Sequence, residues 1–133
     1  MKWLAVLLLL VAGCDAAAKR ETEQLANAVE RFRRAENAEK PGLVGGIRDT
    51  ACTDAEVCQA RATCLASAEA TSKGLTTSAE AKQAIGAMKT YDEVSAKALE
   101  QRLDEAKKDL DEGMAKLREC DDQLMALKRK HHV

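Results

Sequence analysis

Aromatic residues are almost missing from this chain of 133 residues: Trp3, Phe32 and Tyr91 are all it has. A broad pocket walled by aromatic rings is therefore not expected. Charge of one sign is missing too, since 21 basic residues meet 22 acidic ones and create no global pull toward nucleic acid. Histidine occurs only as His131 and His132, and no Cys-x-x-Cys pair is present, so neither a metal site nor a cofactor is expected. Gly42, Gly45 and Gly46 lack the spacing and the flanking strand of a phosphate-cradling loop, and no nucleophile motif or dinucleotide fingerprint occurs. Long apolar runs are missing as well: Trp3 to Val11 falls well short of the roughly 20 residues a spanning helix needs.

What the chain has in quantity is alanine, at 25 residues. Alanine favours helix but buries little surface, so an apolar share of 46% still implies a thin core in one small domain. From Ala16 to Glu39, Leu25, Val29, Phe32 and Ala35 recur at helical spacing on one face, which predicts an amphipathic helix over about 19–39. Lys40-Pro41-Gly42 is expected to stop it, and Pro41 to Cys52 reads as a loop. A second helix over about 53–72 starts at Thr53, with Glu56 placed for a capping box, and breaks at Gly74 and the cluster Thr76-Thr77-Ser78. The last helix, about 77–128, either runs on from Thr77 or restarts near Thr90, where Thr90 and Glu93 form a further box.

In that last helix Leu103, Leu110, Leu117 and Leu124 recur every seven residues, with Leu99, Ala106, Gly113, Cys120 and Leu127 at the alternate seam position. Asp104 with Lys108 and Glu112 with Lys116 have the spacing of supporting ion pairs. Such a seam must be covered. Packing within the chain, as a monomer, is favoured over a homo-oligomer through this helix because the other helices have apolar faces of their own to bury. The fold class is thus all-α, a small antiparallel helical bundle or hairpin with a long C-terminal helix.

Met1 to Gly13 has the parts of a secretory signal, with Lys2 as a positive start and Trp3 to Val11 as its apolar centre. It ends in Val11-Ala12-Gly13-Cys14, which resembles the lipobox of bacterial lipoproteins, with Val11 where leucine is commoner. The resemblance covers only the first 15 or so residues. It implies cleavage between Gly13 and Cys14, a diacylglyceryl group on the Cys14 thiol and acylation, such as by palmitate, of the freed amine. Residues 14–18 would then be a tether. More than one acyl chain would make the membrane attachment stable. The resemblance places the protein on a bacterial cell membrane, facing the periplasm or exterior, and Asp15 next to the anchor leans toward the inner membrane.

Assigning Cys14 to lipid leaves Cys52, Cys58, Cys64 and Cys120 as an even set for two disulfides in an oxidising compartment. Cys58 and Cys64 lie about 9 Å apart along one helix, beyond disulfide reach. Were the only reversal near Gly74, Cys120 would sit about 65 Å past the turn, whereas a reversal near Thr90 brings it beside Cys58 to Cys64. The expected pairs are Cys64 with Cys120 and Cys52 with Cys58.

The basic end Lys128 to Lys130, with His131 and His132, suits the negative pole of a helix and is expected to fray as a tail over 129–133. Carboxylates from Glu100 to Asp122 alternate with lysine and arginine as on a solvated helix face, and none is set apart for catalysis. No enzymatic activity is expected. The reading is a lipid-anchored structural or protein-interaction module with a protein partner, and the alternative is a small-ligand carrier or sensor using a pocket between helices.

Overall fold

The computed structural model describes the backbone of residues 2–133 and the side chains of residues 15–133. Among the described residues there are four helices and no strand: α1 (Lys2–Arg34), α2 (Lys40–Arg48), α3 (Ala55–Ala87) and α4 (Glu93–His131). α3 and α4 form an antiparallel hairpin, whose direction shows in the succession of partners Glu56 with Lys130, Cys64 with Cys120, Lys73 with Asp109 and Glu80 with Arg102. α1 and α2 pack on the half of the hairpin nearest the chain ends. The core there is Leu25, Val29 and Phe32 of α1, Val44 and Ile47 of α2, Val57, Cys64 and Ala68 of α3, and Cys120, Leu124 and Leu127 of α4. The all-α hairpin with a long last helix is the fold class its sequence pattern predicts.

Besides the start of α1, which lies at Lys2 and not near residue 19, three boundaries differ from the pattern. α1 ends at Arg34 rather than Glu39, and Ala35 is only half buried beyond it. Lys40 explains the stop, because its ammonium reaches back to the carbonyls of Arg33 and Ala35, which α1 leaves without helical partners. The stretch read as a loop is helical from Lys40 to Arg48. Pro41 in its first turn lacks an N–H that would have had no partner there, and burial of Val44 and Ile47 outweighs the weak helix preference of its glycines. The third difference is at Gly74, where α3 runs through without a break. A Cβ on Gly74 would stand 2.7 Å from Leu110 Cγ and 2.8 Å from the Ala106 carbonyl, so the glycine there permits close approach of α4 rather than a turn.

Reversal instead comes at residues 88–92, the alternative of a restart near Thr90. The caps are aspartates, not the threonines of the expected boxes. Asp54 accepts the Glu56 and Val57 amides, and Asp92 accepts the Ser95 amide. Along α4 the stripe Ala106, Gly113, Cys120 and Leu127 is buried, while Leu103, Leu110 and Leu117 are only partly so. Small side chains let α3 and α4 approach closely, which puts them at the centre and the leucines on its flank. Leu124 is buried as well, at the level where α1 adds a third helix. The ion pairs on this helix are Lys107 with Asp111 and Lys116 with Glu119, not the two expected from spacing.

Candidate functional site

Cys14 and Gly13 lie outside the residues whose side chains are described. The site is therefore built from Asp15 onward, where α1 meets the start of α3 and the end of α4. The other four cysteines are joined as Cys52 with Cys58 and Cys64 with Cys120, at Cα separations of 5.1 and 4.9 Å. The second disulfide fastens α3 to α4 inside the core. The first closes a small ring at the start of α3.

Inside that ring sit Thr53 and Asp54, and both hold Glu21 of α1. The Thr53 amide donates to Glu21 Oε2 at 2.8 Å, its hydroxyl to Oε1 at 2.7 Å, and the Asp54 amide to Oε2 at 3.4 Å. Glu21 is only 5% exposed. Burial pushes its carboxyl up, but the Thr53 amide, the Thr53 hydroxyl and the Asp54 amide together outweigh burial and hold it below its ordinary value. Glu21 escaped the sequence reading, although a charged residue four before Leu25 on the apolar face of α1 was the signal that could have exposed it.

A carboxyl lowered in the folded state contributes stability that is full above its ordinary value of 4.5 and is lost as pH falls through the lower, folded value. Glu21→Gln is expected to cost about 1–2 kcal/mol near neutral pH, because it replaces a charged acceptor of three bonds. That cost should shrink between pH 7 and pH 3 in urea melts. An unchanged cost would show that the carboxylate charge adds nothing to this clasp.

The C-terminal end, expected as a tail over 129–133, is helical almost to the last residue. α4 continues to His131, whose ring is buried with Nδ1 3.1 Å from Asp15 Oδ1, and His132 closes the helix in the left-handed conformation. Lys130 reaches Glu56 Oε2 at 2.8 Å, and the hydrogen bond to that carboxylate raises the ammonium above its ordinary value. Burial of Leu127 in the core shared by α1, α3 and α4 is what draws this end in, an effect that a count of terminal charges does not contain.

An open groove of about 330 Å³ lies between α1 and α4, floored by Ala26, Val29 and Leu124 and crossed at one end by the Arg33–Asp121 ion pair. Among the described residues no three His, Cys, Asp or Glu side chains converge as metal ligands. No helix among them is long and apolar enough to cross a membrane. At the far end, around the turn 88–92, Tyr91 and Val94 are 81% and 77% exposed and Ile85 stands 47% exposed beside them in sequence on α3. Compared with known proteins, the chain matches no family model, no curated protein and no solved structure.

Proposed function

We propose that this protein is a lipid-anchored bacterial envelope protein whose helical body is a structural or protein-interaction module. The observation that carries the reading is the apolar segment Trp3 to Val11 leading into Val11-Ala12-Gly13-Cys14, with Cys14 as the acceptor of lipid. Two internal disulfides suit the oxidising side of a membrane. The length of α4 supports a reaching role: its 39 residues set the turn at 88–92 about 58 Å from His131, which is next to Asp15 and so next to the anchor. Apolar side chains at that remote turn are of the kind a protein partner covers. Asp15 directly after the anchor favours the inner membrane.

The test is metabolic labelling with a palmitate analogue in a bacterium that expresses the chain. The native sequence should take up label and fractionate with membranes. Cys14→Ser should lose the label and either leave the membrane fraction or remain as an uncleaved precursor. Label retained by Cys14→Ser would overturn the reading.

A further inference from the structure

The two disulfides stand in different surroundings. Cys64 and Cys120 are 2% and 0% exposed, between α3 and α4. Cys52 and Cys58 are both partly exposed at the rim, where α3 begins. Reduction of a disulfide requires a thiolate to reach one of its sulfurs, so the inner pair reacts only after the hairpin opens, whereas the outer pair already stands partly exposed in the folded chain. The outer pair also encloses a function. Its ring spans Cys52 to Cys58 and contains Thr53 and Asp54, the residues whose amides and hydroxyl hold Glu21 and with it α1. Beyond the ring, this connection is tied to α3 by Arg61, which donates from Nη1 to the Thr50 carbonyl at 2.6 Å and so gives the segment an attachment to α3 that does not depend on the disulfide.

We propose that Cys52–Cys58 is a thiol–disulfide exchange site for a dithiol reductant, and that its reduction loosens the grip of α3 on α1 while Cys64–Cys120 stays oxidised. An incoming thiolate bonds to one sulfur of the pair and the other leaves as a thiolate, which takes up a proton. The second thiol of the reductant then attacks the mixed disulfide and releases the first cysteine. Two electrons and two protons pass from the dithiol to Cys52 and Cys58, and the reductant ends as its own disulfide. The inference concerns the folded body alone and holds whether or not Cys14 carries lipid.

The experiment treats the full chain, oxidised and in mild detergent, with dithiothreitol under native conditions. Samples are quenched with acid, alkylated and mapped by mass spectrometry over time. Cys52 and Cys58 should be alkylated at least about tenfold faster than Cys64 and Cys120, and in the half-reduced species the Thr53 and Asp54 amides should exchange hydrogen at least about tenfold faster than in the oxidised protein. The double variant Cys52→Ser with Cys58→Ser, which keeps the inner disulfide, should show the same faster exchange without any reductant. Equal rates, or earlier reduction of Cys64–Cys120, would overturn the exchange site. Selective reduction with unchanged exchange at Thr53 and Asp54, in both the reduced species and the double variant, would overturn its coupling to α1.

Discussion

Replacing Cys64 and Cys120 together by alanine is expected to remove about 4 kcal/mol of folding stability, the largest loss of any change considered for this chain. The two cysteines are 56 residues apart, and a crosslink over a loop of that length removes about that much entropy from the unfolded chain. A small helical domain has a total stability of roughly 5–15 kcal/mol, so the loss would lower the melting temperature by roughly 10–20 °C. The matching change at Cys52 and Cys58 closes a separation of only 6 and should cost about 2 kcal/mol. Urea denaturation of the two double variants, each keeping the other disulfide, measures both. A larger loss at Cys52 and Cys58 would mean that the outer ring, and not the staple across the hairpin, carries the stability.

Gly113→Ala carries the second largest expected effect, a loss of about 2–3 kcal/mol. Alanine is normally the better helix residue by about 1 kcal/mol, so on local preference alone the substitution would stabilise. The contact decides otherwise. A Cβ at Gly113 would run into Thr71 Oγ1, stand 2.9 Å from the Thr71 amide nitrogen and come 3.2 Å from the Ser67 carbonyl, and the backbone atoms among these cannot turn aside. Separating the helices to admit it would also stretch the bond from the buried Ser67 hydroxyl to the Gly113 carbonyl, now 2.8 Å. Gly86→Ala in α3 is the control, because nothing lies within 4 Å of its added methyl, and it should gain roughly 0.5–1 kcal/mol. Thermal melts of the two single variants should move in opposite directions. A stabilised Gly113→Ala would show that the helices are not held at this close distance.

Gly113 and Gly74 mark where the pattern of the chain alone is sufficient and where it stops. Gly113 was legible as a seam position because its seven-residue spacing from Ala106 and Cys120 is a property of one helix. Gly74 was misread as a break, because a residue that ends helices when exposed is the same residue that lets two helices touch, and the difference lies in Leu110 on the other helix. Pro41 shows the same ambiguity: it forbids continuation of a helix before it and suits the first turn of a helix after it.

The cysteine pairing was within reach because rise per residue is a fixed length, and only a reversal near Thr90 lets Cys120 meet Cys64. The candidate site was less legible. Its Glu21 clasp depends on Thr53, 32 positions away, and its buried His131 depends on Asp15, 116 positions away, and no periodicity encodes such partners.

Helical class, the long last helix, the apolar face of α1 and an even set of four cysteines besides Cys14 follow from composition and spacing, since each is a local or counting property of the chain. Whether a glycine or proline ended a helix or served its packing, which seam stripe lay innermost, and how α1 was gripped at Glu21 and Asp15 were settled by distant residues meeting. Those outcomes turn on close approach and on the burial of polar groups, whose energies exceed the roughly 1 kcal/mol differences that local preference supplies.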